Sequence, residues 1–291
     1  MINPSPLRYP GGKNRLAPLF AMIIKQLNIQ SGTYIEPFAG GAGVALSLLL
    51  NGVVKNIVIN DYDKAIYSFW RAVKQEPAAL IKKIENTPIT IDEWHKQKAV
   101  YSSSVSYSLD LAFATLFLNR TNRSGILSAG PIGGYSQSGK WRLDVRFKKE
   151  AIIEKIYSIA KFRKNITVYN KDIICLLRKY SQRFGNNTFY YFDPPYYNKG
   201  QKLYKNFFSH EDHKRIHDII KGEIVAPWVV TYDDTKEISC LYEGHVMRRF
   251  DLTYSAANKG MASELMFFSD GRCCPTQEHL RENGIMINLR K

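Results

Sequence analysis

Asp193-Pro194-Pro195-Tyr196 combines residue types that can hold and orient a small planar amine. It follows Thr188 to Phe192, a run of strand-forming residues. Two prolines cannot continue a central strand, because they donate no ladder hydrogen bonds. The chain therefore leaves the predicted sheet here with a stiff backbone. The Asp193 carboxylate and the Pro194 carbonyl can accept the two N–H groups of an exocyclic amine. Its lone pair is then aimed at an electrophile such as the sulfonium methyl of S-adenosylmethionine, for an in-line displacement.

The same tetrapeptide suggests a pocket for a nucleobase. Tyr196 can stack on the face of a base, a contact worth roughly 1–3 kcal/mol. A base in a duplex must leave the helix to reach such a pocket. The simpler interpretation is that the prolines only end a strand, since Asp-Pro often opens a turn. The aromatic strand, a glycine-rich turn upstream and the charge of the chain favour the catalytic interpretation.

A glycine-rich turn and an acidic residue supply the second half of the predicted site. The turn runs from Glu36 to Gly43 after a predicted strand at Thr33 to Ile35, and Asp61 ends the next predicted strand, Ile57 to Asn60. Open α/β sheets bind ligands at the carboxyl ends of their strands, and glycines allow close backbone approach. An acid at this spacing can hold ribose hydroxyls, whereas the lack of Gly-Lys-Ser/Thr disfavours a phosphate loop. S-adenosylmethionine, a nucleoside cofactor without phosphates, fits best, although the turn alone is nearly as compatible with a plain tight turn.

The charge of the chain predicts a polyanionic partner. The 291 residues include 41 Lys and Arg against 26 Asp and Glu, a formal net charge of +15. Nucleic acid is the first candidate and an anionic membrane surface the second. No apolar run approaches the roughly 20 residues that span a bilayer. Residues 1–6 lack the layout of a signal peptide, so we expect a cytoplasmic protein.

Cysteine and histidine offer weaker signals. The four cysteines fit no zinc spacing and are predicted to be free thiols. His210, His213 and His217 would share one face of a helix that begins after Ser209, where Asp212 completes a capping-box pattern. No carboxylate or cysteine pattern completes a metal site there. A solvated helix face is therefore favoured, and no metal is expected.

These residues are positioned by an alternation of strands and helices that is interrupted once. We predict an α/β fold, with an open, mostly parallel, Rossmann-like sheet built from residues 1–61 and 165–291. Residues 62–164 form an inserted, mainly helical lobe, which contains a basic hairpin or extended loop near 130–149. Further strands are predicted at Ile166 to Tyr169, Trp228 to Tyr232, 245–250 and 264–268. Helices are predicted at Leu16 to Leu27, Val44 to Leu50, Ile66 to Val73, Ala78 to Ile84 and Leu109 to Leu118, and from Ser209 to about Lys221.

Three segments resemble the Dam-type (D12 class) adenine-N6 DNA methyltransferases: Tyr9-Pro10-Gly11-Gly12-Lys13, Glu36 to Gly43, and Asp193 to Tyr196. Cofactor segments come first, a recognition insertion next and the catalytic segment last, which matches the α arrangement of that family. The resemblance covers roughly Leu7 to Phe208. It implies an S-adenosylmethionine-binding, Rossmann-like sheet with an inserted target-recognition domain.

The resemblance also implies roles for individual residues. Tyr9 is the aromatic residue against the cofactor, Asp61 the ribose-binding acid and Asp172 the acid near the adenine ring. Asp193 contacts both the cofactor region and the target amine. The catalytic residues are Asp193, Pro194, Pro195 and Tyr196. The cofactor-binding residues are Tyr9, Gly11, Gly12, Lys13, Glu36, Pro37, Phe38, Gly40, Gly41, Gly43, Asp61, Asp172 and Asp193. The flipped base is expected to lie against Tyr204, Phe207 and Phe208.

DNA recognition is expected between Asn119 and Lys149. Leu118-Asn119-Arg120 resembles the start of the recognition segment of the family, and such polar side chains suit base edges or phosphates. The stretch from Ser124 to Gly134 departs from the pattern of GATC readers, so the target sequence stays open. The expected DNA contacts are Asn119, Arg120, Asn122, Arg123, Trp141, Arg142 and Arg146, with Lys148 and Lys149 as further candidates. For Trp141 and the basic residues after it, a solvated basic hairpin is an equal alternative.

The sequence thus predicts a site-specific methyltransferase that acts on the N6 amine of a flipped-out adenine in double-stranded DNA. The alternatives are cytosine N4 or RNA adenine as substrate, a catalytically inactive DNA-binding homologue, and a nucleotide-binding protein of another kind. The intact Asp193 and Tyr196 argue against an inactive protein. The missing phosphate lysine argues against another nucleotide-binding protein. We further expect a monomer, with a cognate restriction endonuclease encoded nearby as a possible partner in function.

Overall fold

The strand before the predicted catalytic segment lies near the middle of a mixed sheet. The structure is a computed structural model that describes residues 3–9, 12–180, 187–198, 208–253 and 261–290. Its strands are β1 Thr33–Glu36, β2 Asn56–Asn60, β3 Ile166–Tyr169, β4 Thr188–Phe192, β5 Trp228–Asp233, β6 Val246–Thr253, β7 Met261–Phe268 and β8 Leu289–Arg290. Their order across the sheet is β3-β2-β1-β4-β5-β7-β6-β8.

The pairing of these strands confirms most of the predicted sheet. Strands β3, β2, β1, β4 and β5 are parallel, while β7 is antiparallel to β5 and to β6. The chain order reverses beside β1, because β2 and β3 lie on one side of it and β4 on the other. In open α/β sheets the crevice at such a reversal is the usual ligand site.

Burial on both faces explains the unbroken aromatic run in β4. All five of its residues are buried. Phe189 and Tyr191 pack into the hydrophobic cluster on one face of the sheet, and Tyr190 and Phe192 into the cluster on the other. This alternation is expected of a strand covered by helices on both sides.

Helices flank the sheet and form the inserted lobe. They are α1 Ala17–Gln26, α2 Gly43–Leu50, α3 Lys64–Gln75, α4 Pro77–Asn86, α5 Ile91–Ser103, α6 Leu109–Thr121, α7 Lys149–Ala160, α8 Ile173–Tyr180, α9 His210–Glu223, α10 Lys236–Leu241 and α11 Gln277–Glu282. Every predicted helix is present. The sequence did not reveal α5, α7, α10 and α11. The capping box predicted at α9 is formed, with Ser209 Oγ accepting from the Asp212 N–H and the Asp212 carboxylate accepting from the Ser209 N–H.

Of the two forms predicted for residues 130–149, a basic hairpin or an extended loop, the structure contains the loop and no hairpin. Tight turns occupy most of this stretch, followed by a 3-10 turn at Leu143–Arg146 and the start of α7. Within the described chain its only β pairing is an isolated bridge between Asn122 and Pro131. Four glycines between 130 and 139 and few alternating apolar positions explain why no strand forms here.

The inserted lobe shares its core with the sheet. Phe113 and Phe117 of α6 belong to the same hydrophobic cluster as Phe20 of α1 and Leu46 of α2. The lobe is therefore packed firmly onto one face of the sheet. The domain boundaries at residues 61 and 165 stay predictions.

Candidate active site

A cleft at the reversal point brings the two predicted halves of the site together. It contains about 1090 Å³ of empty space, part of it open to solvent. Residues predicted from the sequence that line it are Tyr9, Gly12, Lys13, Glu36, Phe38, Gly41, Gly43, Asp61, Asp193, Pro195 and Phe208. Pro37 and Gly40 belong to the same turn without lining the cleft.

Asp193 is held by hydrogen bonds to one of its two carboxylate oxygens. Lys13 Nζ lies 3.1 Å from Oδ1, and the Thr231 hydroxyl donates to the same Oδ1 at 2.7 Å. The side chain keeps 23% of its surface exposed. Among the described residues no hydrogen bond to Oδ2 is formed. One oxygen of Asp193 is thus anchored and the other is available to a ligand.

Lys13 is buried among three oxygen-bearing side chains. Its Nζ lies 3.1 Å from Asp193 Oδ1, 3.1 Å from Glu264 Oε2, and 3.0 Å from the Tyr196 hydroxyl. The Tyr196 hydroxyl in turn donates to Glu264 Oε1 at 2.6 Å. Burial alone would lower the pKa of Lys13, but the carboxylates of Asp193 and Glu264 outweigh it and hold that pKa above its usual range. Lys13 is therefore a fixed cation.

Strand β5 holds the backbone that follows the tetrapeptide. The Asp233 carboxylate accepts from the Tyr197 N–H at 2.8 Å and from the Asn198 N–H at 3.0 Å. Thr231, two residues earlier and on the same face of the strand, anchors Asp193. The segment after β4 is thus fixed by side chains of the neighbouring strand as well as by its prolines.

The glycine-rich turn is shaped around Tyr9. A Cβ on Gly40 would lie 2.6 Å from the nearest Tyr9 ring atoms, and one on Gly41 would lie 2.9 Å from Tyr9 Cβ. Gly40 also has a positive φ of 46°, which favours glycine. Its carbonyl accepts from Trp70 Nε1 at 2.8 Å. Glycine at these two positions lets the Tyr9 ring, which lines the cleft, pack directly against the turn.

Two acids flank the turn, Glu36, which is buried, and Asp61, which is half-buried. The Asp61 carboxylate accepts from the N–H groups of Gly40 and Asp63, both at 2.9 Å. The Glu36 carboxylate accepts from the Ala45 N–H at 3.1 Å. Burial raises the pKa of Asp61 to about 7 and the pKa of Glu36 to about 8, although these backbone hydrogen bonds oppose the shift.

Asp172 does not line the cleft, and its assignment to the cofactor site stays a prediction. It is exposed, and its Oδ1 accepts from the Ile174 N–H at 3.0 Å and the Cys175 N–H at 3.3 Å, as a cap of α8. An acid just before a helix satisfies otherwise unpaired N–H groups. Gly11, Tyr204 and Phe207 fall outside the described residues.

Two predicted DNA contacts are buried instead. Asn119 bonds to both backbone groups of Arg8, at 2.7 Å each, and to the Gly125 carbonyl at 2.9 Å. Asn122 accepts from Trp94 Nε1 at 2.6 Å and donates to the carbonyls of residues 126 and 127. These amides hold the end of α6 to its surroundings, so we no longer assign either to the DNA surface.

The other predicted DNA contacts are accessible. Arg123, Trp141, Arg142, Arg146 and Lys148 are exposed, and Arg120 is half-buried. Lys149 is half-buried, with its Nζ donating to the Glu85 carbonyl at 2.7 Å. Within the described ranges none of these arginines forms an ion pair with a carboxylate. These arginines are therefore available to bind an anionic partner.

Arg8, Arg120, Arg146 and Lys155 form a group that we call the cation cluster. Arg120 donates to the Pro6 carbonyl at 2.7 Å and to the Arg146 carbonyl at 3.5 Å. Burial, together with the nearby Arg8, lowers the pKa of Arg120 to about 10. Burial and Arg146 lower the pKa of Arg8, and its buried Nη1 has no hydrogen-bond partner among the described residues. Like charges gathered in this way favour an anion between them.

The histidine prediction is wrong for two of its three residues. His213 and His217 are buried in α9, and His213 Nδ1 lies 2.9 Å from the Tyr232 hydroxyl. Burial lowers the pKa of His213 to about 4. The residues that the structure describes contain no cluster of metal-ligating side chains, and the four cysteines are free. None of the described helices is long and apolar enough to cross a bilayer.

The sequence did not point to Thr231, Asp233 or Glu264. Thr231 and Asp233 are polar residues two apart at the end of an otherwise apolar strand, and this spacing could have marked them. Glu264 begins the run Glu-Leu-Met-Phe-Phe, where a lone acid in an apolar strand is the comparable signal. An acid is rarely fully buried unless it is paired, so a buried acid in a strand indicates a partner elsewhere in the chain.

Known proteins resemble this chain over most of its length. A family model described as D12 class N6 adenine-specific DNA methyltransferase matches residues 9–258. Type II methyltransferase M.MjaIII of Methanocaldococcus jannaschii is 24% identical over 207 residues, covering 65% of this chain and 68% of that protein. Type II methyltransferase M1.LlaDCHI of Lactococcus lactis subsp. cremoris is 26% identical over 235 residues, covering 74% and 75%. Among solved structures, the rRNA methyltransferase aviRa from Streptomyces viridochromogenes superposes with a TM-score of 0.43 at 12% identity, over 90% of this chain and 86% of that chain.

Proposed function

The chain belongs to the D12 class of N6 adenine-specific DNA methyltransferases, and we propose that it transfers the methyl group of S-adenosylmethionine to N6 of an adenine that has left the duplex. The observation that carries this proposal is that only one of the two carboxylate oxygens of Asp193 is held by other side chains. Lys13 and Thr231 hold Oδ1, so Oδ2 can accept an N–H of the target amine. The Pro194 carbonyl is the proposed second acceptor.

Catalysis then consists of placing the amine and stabilising the charge that it gains. The N6 lone pair forms the new bond to the methyl carbon while the carbon–sulfur bond breaks with its electrons on sulfur. The amine afterwards loses one proton to solvent. A fixed carboxylate next to the developing positive charge lowers the barrier, because it needs no reorganisation during the reaction. Stacking of the base on Tyr196 stays part of this proposal.

The charge of the cleft suits S-adenosylmethionine. Four acids and one lysine line it, the acids being Glu36, Asp61, Asp63 and Asp193. The raised pKa of about 8 keeps Glu36 largely protonated at neutral pH, and that of about 7 keeps Asp61 partly so, so Asp63 and Asp193 carry most of the negative charge. Lys13 is neutralised by its own carboxylate partners. Such a lining disfavours a cofactor that carries phosphates and favours one with a cationic sulfonium and a ribose. When bound, this cofactor supplies an electrophilic methyl group. Asp61 would hold the ribose hydroxyls, and Tyr9 and Phe38 would provide apolar walls.

The cation cluster and the exposed arginines support duplex DNA as the substrate. Arg8 directly precedes Tyr9, which lines the cleft, and Arg120 lies in the last turn of α6. A DNA phosphate placed among Arg8, Arg120, Arg146 and Lys155 would therefore lie close to the nucleotide that enters the cleft. Phosphate contacts of this kind set the register of a protein on DNA, while base contacts choose the sequence. Arg123, Trp141 and Arg142 are the proposed base-side contacts.

Three further parts of the proposal concern the setting of the protein. We propose that it acts in the cytoplasm and as a monomer. The names of both relatives, Type II methyltransferases, support a place in restriction and modification, beside an endonuclease encoded nearby.

The decisive experiment measures which base is modified. The purified protein is incubated with S-adenosylmethionine and duplex DNA, and the digested nucleosides are identified by mass spectrometry. N6-methyladenine in duplex DNA is expected. It should fall below about one-thousandth of the wild-type rate in Asp193→Ala, in line with the loss of a directly acting group. Asp172→Ala, which removes a carboxylate outside the cleft, is the matched control and should retain activity. N4-methylcytosine, or methylation confined to RNA, would replace the proposed substrate. Near-normal turnover by Asp193→Ala would contradict the mechanism.

A further inference from the structure

Glu264 is a buried carboxylate that touches the catalytic segment from a distant part of the chain. It lies on β7, with 2% of its surface exposed. Its Oε2 is 3.1 Å from Lys13 Nζ, and its Oε1 accepts from the Tyr196 hydroxyl at 2.6 Å. It therefore contacts one residue of the cofactor segment and one of the tetrapeptide. Glu264 is not among the described residues that line the cleft.

Lys13 does not need Glu264 for neutrality. Asp193 already balances its charge at 3.1 Å, and the Tyr196 hydroxyl lies at 3.0 Å. A second buried carboxylate carries a desolvation cost, and replacing buried charges with apolar residues is often neutral or stabilising. Burial raises the pKa of Glu264, while Lys13 opposes that shift. The second acid is thus a feature that stability alone does not require.

The effect of Glu264 is to change the net charge of the group. Lys13 and Asp193 alone would be a neutral pair. With Glu264 ionised, one ammonium is shared by two carboxylates, and the three residues together carry a single negative charge. Lys13 and Asp193 both line the cleft. The negative charge therefore acts at the place where the methyl donor and the target amine would meet.

We propose that Glu264 is a positioning residue of the methyl-transfer reaction, which draws the Lys13 ammonium partly away from Asp193 and leaves the group negatively charged. Asp193 consequently remains a strong acceptor for the target amine. The same charge favours the sulfonium of S-adenosylmethionine over the neutral thioether of S-adenosylhomocysteine. The inference rests on the proposed function, and it adds a charge-setting role for a residue outside the cleft.

The test compares the binding of two ligands that differ in charge. Dissociation constants of S-adenosylmethionine and S-adenosylhomocysteine are measured by calorimetry for the wild-type protein, Glu264→Gln and Glu264→Asp. Glu264→Gln should weaken S-adenosylmethionine about tenfold, as expected for the loss of a unit charge near a solvent-poor cleft. Binding of S-adenosylhomocysteine should change less than about twofold, since its sulfur is neutral. Glu264→Asp keeps the charge and should therefore keep most of the wild-type preference for S-adenosylmethionine over S-adenosylhomocysteine.

Asp233→Asn is the matched control. Asp233 pairs across the sheet with Glu264, is likewise buried and holds the backbone after Tyr196, but forms no ion pair with Lys13. It should affect both ligands equally. Circular dichroism confirms that each variant is folded. If Glu264→Gln is unfolded, Glu264→Asp still tests the proposal, because it keeps the charge and shortens the side chain. Loss of ligand selectivity in a folded Glu264→Asp would then contradict a role that depends on charge.

The outcomes separate the two proposals. A wild-type protein that binds neither ligand refutes the proposed function. A wild-type protein that binds both and methylates DNA, with unchanged ligand selectivity in Glu264→Gln, refutes only the role of Glu264. Equal weakening of both ligands in that variant would also overturn it, since that result indicates a structural contact.

Discussion

Replacing Gly40 with alanine tests whether the cofactor wall depends on the close contact between the glycine-rich turn and Tyr9. The new Cβ would lie 2.6 Å from Cε1 and Cζ of Tyr9. The backbone of Gly40 cannot rotate away easily, because its N–H donates to Asp61 and its carbonyl accepts from Trp70. The Tyr9 ring must therefore move, and with it one side of the cleft.

The cost of Gly40→Ala has two parts. The first is the left-handed backbone, with φ at 46°, which costs an alanine about 1–2 kcal/mol. The second is the displaced ring. Gly52→Ala isolates the first part, because Gly52 has a φ of 68° and nothing within 4 Å of an added Cβ. We expect Gly52→Ala to lower the free energy of unfolding by about 1 kcal/mol, or roughly 2–4 °C in Tm. Gly40→Ala should lower it by at least twice as much.

The two variants should differ more clearly in ligand binding. Guanidinium chloride unfolding gives the stability of each, and calorimetry gives the dissociation constant of S-adenosylmethionine. Gly40→Ala should weaken binding by about tenfold, the equivalent of roughly 1.4 kcal/mol, while Gly52→Ala should bind like the wild type. Equal affinity in both variants would refute the idea that Tyr9 forms the cofactor wall.

Two further predictions concern pH and salt. Burial raises the pKa of Asp61 to about 7; if its ionised form holds the ribose, affinity for S-adenosylmethionine should fall by up to about tenfold per pH unit below 7, and Asp61→Asn should remove this dependence. The sign for folding is opposite: the folded chain binds this proton more tightly than the unfolded chain, so this group adds stability as pH falls from about 7 towards 4, measurable by unfolding the wild type and Asp61→Asn across that range. Arg146→Gln should reduce the slope of log affinity for duplex DNA against log salt by about 1, whereas Arg178→Gln, whose Nε pairs with Glu223 at 3.4 Å, should not. An unchanged slope in Arg146→Gln would exclude a phosphate contact there.

Local patterns in the sequence were sufficient to predict the sheet and the two ends of the site. The turn from Glu36 to Gly43 and the tetrapeptide at Asp193 each follow a short apolar strand, and parallel strands bring their carboxyl ends to one edge. No long-range information is needed for such a prediction. Asp172 was assigned by the same local argument, and its carboxylate caps a helix, because unpaired N–H groups lie within its reach.

Contacts between distant segments could not be predicted. Lys13 and Glu264 meet only because β7 is inserted antiparallel beside β5, and nothing in either segment specifies that neighbour. Asn119 had the residue type of a DNA contact, yet tertiary packing turned it inward onto Arg8. Buried amides with satisfied hydrogen bonds and exposed ones have the same sequence signature. His213 was misjudged for the same reason, since its partner Tyr232 lies on another strand.

The hydrogen bonds between the inserted lobe and residues 3–8 have a consequence for engineering. Asn119 donates a hydrogen bond to the Arg8 carbonyl, and Arg120 donates one to the Pro6 carbonyl. Lys155 Nζ donates to the carbonyls of Asn3 and Ser5. A chimera that imports a foreign lobe alone would lose the side chains that donate hydrogen bonds to those carbonyls. The transplantable unit is therefore discontinuous, and an exchange of the lobe has to carry residues 3–8 together with it.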